Sequence, residues 1–290
     1  MHLSSETLTE LTRLIQRWTG LALGPDKAYL ISHRLAPIVR SCGFHVFDEL
    51  LLRLRGDNSA TRIRDAVVEA ITTKETSFFR DPWLFDELSR HALPEIAAAL
   101  KRADRAGRRV RIWSAGSSTG QEAYSLAMIL REYLDSGQRV LEENDVTILA
   151  SDISAEAIDA AKAGLYSTFE VKRGLSEPRL RRFFHPHGDG WRVNEPLRNL
   201  VQCRASNLLS LAAEVGAFDL ILCRNVLIYF DEATRARVGR ALCAALKDGG
   251  WLALGSAESL AGTGDGFDLV KLGRAFVYRR KRAAPTAALA

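Results

Sequence analysis

The spacing of hydrophobic positions changes near residue 110. Before that point, apolar residues recur every three or four positions, which is the spacing of helices that bury one face. The pattern predicts four short helices between residues 6 and 70, the second of them opened by Pro25-Asp26, and few strands. This is typical of a small helical domain. We assign residues 1–72 to it and expect the arginines of its second and third helices to lie on the outside.

After residue 110, short apolar runs alternate with helical stretches. The runs predict five strands, at Val110–Ala115, Val146–Ser151, Leu200–Ala205, Phe218–Cys223 and Trp251–Gly255. Predicted helices lie between most of them, at Glu122–Leu134, Ala155–Ala163, Asn207–Ala213 and Ala233–Leu246. This alternation indicates a doubly wound α/β sheet.

Two parts of this region depart from the alternation. Phe267–Leu272 and Ala275–Arg280 have no helix between them, which predicts a terminal antiparallel hairpin. Residues 164–200 are interpreted as an insertion with a short helix at Pro178–Phe184, a polar turn at His185–Gly190 and a small antiparallel element. Residues 283–290 are expected to form a disordered tail.

Small residues follow the first predicted strand, from Ala115 to Gly120. Gly116 and Gly120 allow a sharp turn and a close approach of a ligand to the N-terminus of the next helix. The spacing is neither G-x-G-x-x-G nor a phosphate loop ending in Lys-Ser/Thr, so a dinucleotide or a triphosphate is not the first expectation. An ordinary strand-to-helix turn is the alternative.

Polar residues stand at the carboxyl ends of two other strands. Asp152 ends the second strand, where a carboxylate can accept both ribose hydroxyls of a nucleoside. It can instead cap the following helix, although Ser154 already supplies a cap. Arg224 and Asn225 follow the fourth strand directly, where open α/β sheets place their chemistry.

A polar loop precedes this domain, at residues 71–82. It is rich in hydroxyls, carries Phe78 and Phe79, and ends in Arg80-Asp81-Pro82. This mixture suggests that the loop packs over a ligand. In the alternative interpretation the two phenylalanines dock the helical domain on the next one, and Arg80 pairs with Asp81.

Composition limits the class of protein. The 290 residues are 47% hydrophobic and 26% charged, which is typical of a globular chain. No apolar run approaches the roughly 20 residues of a membrane span, and the N-terminus has no signal-peptide pattern. The four cysteines form no C-x-x-C, and His185 and His187 have no ligand partner nearby in sequence. We therefore expect no metal site and a reduced, cytoplasmic compartment.

The net charge of +5 is concentrated in arginine patches at residues 34–64, 102–111 and 173–204. Arginine suits carboxylate or phosphate partners because its guanidinium donates two parallel hydrogen bonds. No nucleic-acid motif accompanies the patches, and aromatic residues do not alternate with them, so we expect no nucleic acid. Solvated helix faces are the alternative.

Four blocks together resemble the chemotaxis receptor glutamate methyltransferases of the CheR type. They are Thr73–Arg80, similar to T-x-N-E-T-x-F-F-R, Trp113–Met128, similar to W-S-A-x-x-S-T-G-E-E-P-Y-S-x-A-M, Ala150–Ile153, and Phe218–Phe230 with its C-R-N-V-x-I-Y-F. The resemblance covers nearly the whole chain. It implies a class I S-adenosylmethionine methyltransferase sheet, with residues 73–90 as linker and cofactor loop and 91–282 as the methyltransferase domain.

The resemblance also implies residue roles. The cofactor-binding positions would be Lys74, Thr76, Arg80, Glu122, Asp152, Asn207, Leu208, Arg224 and Asn225. Arg80 and Tyr229 would act at the transferred methyl and the substrate carboxylate. Acidic receptor bundles would meet the N-terminal arginines Arg34, Arg40, Arg53 and Arg55. The sequence departs from the family pattern at Lys74, usually Asn, at Gln121, usually Glu, and at Ala123, usually Pro.

The implied function is S-adenosylmethionine-dependent methyl esterification of glutamates on the cytoplasmic domains of chemotaxis receptors, leaving S-adenosylhomocysteine. The enzyme would be a protein-glutamate O-methyltransferase, a monomer in the cytoplasm that is recruited to membrane receptor arrays. Two alternatives stay open. One is a degenerate module that binds cofactor and regulates a partner without methyl transfer, for which Lys74 would be the sign. The other is a nucleic-acid methyltransferase that uses the arginine patches.

Overall fold

The computed structural model describes residues 3–24, 27–56, 60–102, 109–137, 141–261 and 265–282. The chain divides into two units, Met1–Thr73 with Ile228–Thr234, and Lys74–Leu227 with Arg235–Ala290. Three predictions fall outside the described residues: the opening of the second helix at Pro25-Asp26, most of the arginine patch at 102–111, and the tail at 283–290. Among the described residues, no helix has the length and apolar character needed to span a membrane.

The four predicted N-terminal helices are confirmed. They are α1 (Ser5–Thr19), α2 (Ala28–Ser41), α3 (Phe47–Arg55) and α4 (Thr61–Ile71). Their apolar stripes meet in one core that includes Leu11, Leu35, Leu50 and Val67. The cap of α1 explains where that helix starts, because Ser4 Oγ accepts a hydrogen bond from the Thr7 amide at 3.1 Å.

The described residues of the larger unit form ten strands. They are β1 (Val110–Ala115), β2 (Val146–Asp152), β3 (Leu165–Ser167), β4 (Phe184–His187), β5 (Gly190–Val193), β6 (Val201–Ala205), β7 (Phe218–Cys223), β8 (Leu246–Leu254), β9 (Phe267–Leu272) and β10 (Ala275–Arg280). Seven form one sheet in the order β6-β2-β1-β7-β8-β10-β9, and three form a small sheet in the order β3-β5-β4.

The predicted doubly wound sheet with its terminal hairpin is confirmed. Strands β6, β2, β1, β7 and β8 are parallel, whereas β10 runs antiparallel to both β8 and β9. In register, Val110 faces Val146, and Ile112 lies between Ile148 and Leu220. The central strands are apolar along their length because helices cover the sheet and little of either face meets solvent.

Nine further α-helices lie between Pro82 and Ala245 in the described part of the chain. They are α5 (Pro82–Glu87), α6 (Leu93–Arg102), α7 (Gln121–Asp135), α8 (Ala155–Ala163), α9 (Thr168–Lys172), α10 (Glu177–Phe183), α11 (Glu195–Asn199), α12 (Leu208–Val215) and α13 (Glu232–Ala245). A π-helical turn at Leu88–Ala92 joins α5 to α6, and 3₁₀ turns lie at Glu143–Asp145 and Leu227–Tyr229. Helix α7 is the most enclosed, with eleven buried residues.

The structure differs from the predictions at three places. The segment assigned to a linker and cofactor loop is helical from Pro82 onward. Strand β8 begins at Leu246, where the helical pattern was expected to end, and it includes Gly249-Gly250. The expected turn at His185–Gly190 is wrong for its first half, because residues 184–187 pair with β5 and only Gly188 and Asp189 make the turn.

Candidate active site

The loop between β1 and α7 lies at the carboxyl end of the sheet, where open α/β sheets have their ligand crevice. The amides of Gly116 and Ser117 both donate to the Ser151 oxygen, at 2.9 and 2.8 Å. Gly116 has φ of 76°, and a Cβ there would lie 2.4 Å from Val226 Cγ2. Glycine is therefore required by both backbone conformation and space. The predicted turn is therefore a loop of fixed conformation just before the N-terminus of α7, a position at which proteins commonly bind ligands.

One polar atom in this loop is left without a partner. Ser117 Oγ is buried, and within the described part of the chain it makes no hydrogen bond. Buried hydroxyls are normally satisfied, and the exceptions need an explanation. A polar ligand group in the crevice would supply the missing partner.

Asp152, at the end of β2, organises the same loop. Its Oδ2 accepts from the Ser118 amide at 2.8 Å, and its Oδ1 accepts from the Ser154 amide at 3.0 Å. The cap of α8 is Ser154 itself, whose Oγ accepts from the Ala157 amide at 3.0 Å, as expected. Asp152 remains half-buried at the carboxyl end of β2, the end at which open α/β sheets bind their ligands.

Arg224, directly after β7, is the centre of a buried charge network. Its Nη1 donates to Glu122 Oε2 at 3.1 Å, and its Nη2 donates to Asp81 Oδ2 at 2.5 Å and to the Arg80 backbone oxygen at 2.7 Å. The other oxygen of Glu122 accepts from Ser114 Oγ at 2.8 Å. One guanidinium lies between two carboxyl groups, so the network has one excess negative charge whenever both carboxyl groups are ionised. The Arg224 side chain is 2% exposed, so solvent screens these charges little.

The environment of Glu122 changes its acidity. Burial raises the pKa of Glu122 above its usual value, and the Arg224 charge and the Ser114 hydrogen bond oppose that rise. The nearby negative charge of Glu258 adds to it. A carboxyl group balanced in this way, inside a crevice, is characteristic of functional sites.

Glu258 is a residue that the sequence analysis did not identify. Its Oε2 accepts from the amides of Asn225 and Gly255, and its Oε1 accepts from the Leu227 amide, each at 2.7 Å. These bonds hold the turn after β7, where Asn225 has φ of 58°. No spacing rule connects Glu258 to Asn225, because the two lie on loops after different strands.

The loop before α5 is fastened to the larger unit by its ends. Ser118 Oγ donates to the Lys74 oxygen at 2.8 Å, and Lys74 Nζ pairs with Glu156 Oε2 at 2.7 Å. Glu75 pairs with Arg173 of the insertion. Lys74, which replaces the usual Asn of the family, thus carries an ion pair with the first turn of α8.

The two phenylalanines of this loop are buried. The Phe78 ring centroid lies 4.9 Å from that of Tyr166 and 5.5 Å from that of Phe184, both in the insertion. Phe79 packs against Phe85 and lies under the Arg179 guanidinium, 4.0 Å from its ring centroid. The alternative pairing of Arg80 with Asp81 is wrong, because Asp81 pairs with Arg224. Asp81 thus pairs with the guanidinium of Arg224, 143 positions away in sequence, and not with that of the adjacent Arg80.

The remaining predicted cofactor residues have varied surroundings. Arg80 is exposed, and within the described residues its side chain makes no hydrogen bond or ion pair. Thr76 is half-buried. Asn207 caps α12, with its Oδ1 accepting from the Leu209 amide at 2.9 Å, and Leu208 is the first residue of that helix.

Tyr229 and the N-terminal arginines belong to the helical unit. Tyr229 is half-buried, in the 3₁₀ turn that follows β7. Arg34 does not present its guanidinium outward, since Nη1 donates to the Ile71 oxygen at 2.7 Å and to two neighbouring carbonyls at the end of α4. Arg55 pairs with Glu10 at 2.7 Å, whereas Arg40 and Arg53 are exposed.

No cluster that could hold a metal ion occurs among the residues the structure describes. The polar groups at this end of the sheet are the buried Ser117 hydroxyl, a half-buried aspartate and a carboxylate-rich network. Such a set suits a nucleoside that also carries positive charge.

Comparison with known proteins agrees with this description. A family model described as "CheR methyltransferase, SAM binding domain" matches residues 74–276, and one described as "CheR methyltransferase, all-alpha domain" matches residues 6–72. The chain is 39% identical to Chemotaxis protein methyltransferase 1 of Pseudomonas aeruginosa over 94% of its length and 97% of that protein. It is 38% identical to the Chemotaxis protein methyltransferase of Vibrio anguillarum over 96% of its length and 98% of that protein.

Proposed function

This chain belongs to the CheR methyltransferase family and binds S-adenosylmethionine, and we propose that it esterifies glutamate side chains of chemotaxis receptors with the cofactor's methyl group. The observation that carries the proposal is the charge network of Arg224, Glu122 and Asp81 beside an exposed Arg80. The network suits a cationic cofactor, and the free arginine suits an anionic substrate.

The crevice fits S-adenosylmethionine in charge and in hydrogen-bonding groups. The cofactor carries a sulfonium and an ammonium, and the excess negative charge of Glu122 and Asp81 over Arg224 complements them. A carboxylate at the end of β2, such as that of Asp152, suits ribose hydroxyls. The unpartnered Ser117 hydroxyl provides a further polar contact.

We assign the cofactor-binding roles accordingly. Glu122 receives the ammonium group, and Asp152 the ribose. Asn225, Lys74, Thr76, Asn207 and Leu208 line the crevice as the family resemblance implies. Arg224 acts through Glu122 and Asp81, because both of its terminal nitrogens are already engaged by the protein. Its contribution is to hold two carboxylates in place without neutralising both.

When bound, the cofactor supplies an electrophilic methyl group on sulfur. A receptor glutamate is already ionised at neutral pH, so the reaction needs no strong general base. The protein's task is to orient one carboxylate oxygen in line with that methyl and to exclude water. Arg80 orients the carboxylate by charge, and the Tyr229 hydroxyl positions it with a weaker hydrogen bond that leaves the oxygen nucleophilic.

Receptor recognition falls to the exposed arginines of the helical unit. Arg40 and Arg53 are exposed and make no ion pair with any described residue, whereas Arg34 and Arg55 bind groups of the protein itself. Two exposed cations facing an acidic receptor bundle would accelerate encounter and help fix register. We further propose that the enzyme acts as a monomer that is recruited to receptor arrays.

The alternative, a cofactor-binding module without methyl transfer, rests on Lys74 in place of the usual Asn. A transfer assay separates the two functions. Purified receptor cytoplasmic fragments are incubated with the protein and S-adenosylmethionine carrying a radiolabelled methyl, and base-labile label on glutamate is counted. Label on the receptor supports esterification, whereas cofactor binding without label supports the module.

The same assay tests Arg80. We expect Arg80→Ala to lower turnover by about a hundredfold, since carboxylate orientation is lost, while S-adenosylhomocysteine affinity changes little. Arg181→Ala is the matched control, because Arg181 is an exposed arginine of α10 whose partner Glu177 lies on the same helix. Equal turnover of the two variants would remove Arg80 from the mechanism.

A further inference from the structure

The short segment after β7 that carries Tyr229 is built into the helical unit. Residues Ile228–Thr234 cluster with Met1–Thr73, although β7 and the turn before them belong to the larger unit. The covalent path from the Asn225 turn to Tyr229 is four residues long. Anything that fixes this segment therefore fixes the backbone on which Tyr229 is carried.

Three contacts tie the segment to the end of α1. Leu21 forms an antiparallel bridge with Phe230, and the Ala22 amide donates to the Tyr229 oxygen at 2.8 Å. Gln16 Nε2 donates to Asp231 Oδ2 at 2.7 Å. The backbone is thus bonded at Tyr229 itself, and side chains fasten it two residues later.

The segment is also held on either side of these contacts. Before it, Glu258 accepts from the Asn225 and Leu227 amides at 2.7 Å. After it, Asp231 Oδ1 accepts from the Thr234 amide at 2.7 Å, at the start of α13. Gln16 therefore binds a carboxylate that is itself oriented by a helix N-terminus, which gives the contact a defined direction.

The other end of the contact is rigid. Leu11 and Ile15 on α1 are 0% and 1% exposed, so the helix that carries Gln16 is locked into the core of the helical unit. A side chain on a packed helix holds its hydrogen-bond partner in a better-defined position than a side chain on a loop does. Catalytic groups lose much of their effect when displaced by about 1 Å.

We propose that Gln16 is a positioning residue for methyl transfer, which together with the Leu21-Ala22 backbone sets the place of Tyr229 through Asp231 and Phe230. This inference rests on the proposed function, in which Tyr229 contacts the substrate carboxylate. It assigns the receptor-contacting unit a second task, since its first helix also supports a catalytic side chain.

The test is an exchange of the two hydrogen-bonding groups. Gln16→Glu places two carboxylates against each other and breaks the contact. Adding Asp231→Asn restores it with reversed polarity, because the new amide at position 231 donates to the new carboxylate at position 16. Asparagine also keeps the cap of α13. Thr12→Glu is the matched control, since it adds the same charge to α1 one turn earlier.

Two readouts are taken on each variant. Hydrogen–deuterium exchange reports protection of the amides from Leu227 to Asp231, and methylation of receptor fragments at saturating cofactor gives kcat and KM. For Gln16→Glu we expect about tenfold faster exchange in this segment and a kcat lowered by about tenfold, with KM nearly unchanged. The double variant should recover both, and Thr12→Glu should change neither.

Each outcome either supports or overturns the positioning role of Gln16. Unchanged exchange in Gln16→Glu, or no recovery in the double variant, overturns the positioning contact. Faster exchange with unchanged kcat shows that Gln16 is merely structural, which also overturns the proposal. If the wild-type protein methylates no receptor, the failure belongs to the proposed function, and the exchange data alone decide whether Gln16 holds the Tyr229 segment.

Discussion

Replacement of Arg224 by methionine would test the charge network most directly. Methionine keeps much of the length and apolar volume of arginine but removes the guanidinium. Within the described residues, the carboxylate of Glu122 would then keep only the Ser114 hydroxyl as a hydrogen-bond partner, and the Arg80 carbonyl would lose its donor. The larger unit would fold around a buried, uncompensated charge.

The cost follows from the burial of that charge. Breaking a buried ion pair by removing one partner costs about 3–5 kcal/mol, because the other charge stays desolvated. The lost hydrogen bond to the Arg80 oxygen is not additive with this cost, since both arise from one guanidinium. We expect a loss of about 4 kcal/mol, a large share of the roughly 5–15 kcal/mol that holds a domain together. At about 2–4 °C per kcal/mol, the midpoint of thermal unfolding would fall by roughly 8–16 °C.

The assay is urea unfolding of Arg224→Met at pH 5 and pH 8, followed by tryptophan fluorescence. The pKa of Glu122 is already raised by burial, and removal of the opposing Arg224 charge raises it further. An acid with a raised folded-state pKa favours folding in its neutral form, so its destabilising effect is absent at low pH and grows as pH rises through the folded pKa. The free energy of unfolding that Arg224→Met loses relative to the wild-type protein should therefore be larger at pH 8 than at pH 5.

Two controls make the result specific. Adding Glu122→Gln to Arg224→Met should recover part of the stability, since it removes the unpaired charge. Arg179→Met breaks the pair with Glu132, whose side chains are 26% and 28% exposed, and should cost less than about 1 kcal/mol. A deficit below 1 kcal/mol for Arg224→Met, equal at both pH values and unaffected by Glu122→Gln, would refute the account of the network.

Asp152→Asn should weaken S-adenosylhomocysteine binding about tenfold in calorimetric titration, the effect of one lost hydrogen bond to a charged group, and unchanged affinity would remove Asp152 from the site. Cofactor affinity should fall on acidification at a higher pH than an ordinary glutamate would cause, because burial raises the pKa of Glu122, and Glu122→Gln should abolish that dependence. Lys74→Asn should cost less than about 1 kcal/mol of stability and leave methyl transfer intact, since Lys74 and its partner Glu156 are 31% and 73% exposed, and an inactive variant would show that the lysine has a catalytic task.

The strands that position the crevice were predictable because their pattern is local. Val110–Ala115 and Phe218–Cys223 have the predicted bounds, since each is a short apolar run that ends where polar or small residues begin. The terminal hairpin also matches, because Gly273 supplies the left-handed conformation, with φ of 59°, that its tight turn requires. Strand β8 was placed late because Leu246 to Gly250 lack a strand-like alternation, and pairing with β7 decided their conformation.

The charge partners within the crevice could not be predicted in the same way. Asp81 pairs with Arg224 rather than with the adjacent Arg80, and Glu258 accepts a hydrogen bond from the Asn225 amide. Such pairs depend on which loops the sheet brings together at one edge. That depends on the strand order, which the residue spacing within a loop does not reveal. Sequence pattern identified candidate positions at the ends of the strands, while tertiary structure determined which of them bind other groups of the protein.

Backbone strain around the crevice indicates that the protein builds this site in advance of its ligand. Phe79, Asp81, Ser118 and Asn225 all have positive φ, which costs about 1–3 kcal/mol for side chains such as Phe79 and Ser118 and less for Asp81 and Asn225. Each lies beside an anchoring bond: Phe79 donates its amide to Ser125, and Asp81 meets Arg224. Ser118 donates its amide to Asp152, and Asn225 donates its amide to Glu258. Because the strain is held by groups of the protein itself, the loops do not have to be ordered by the cofactor, and more of the binding energy remains for aligning the methyl group with its acceptor.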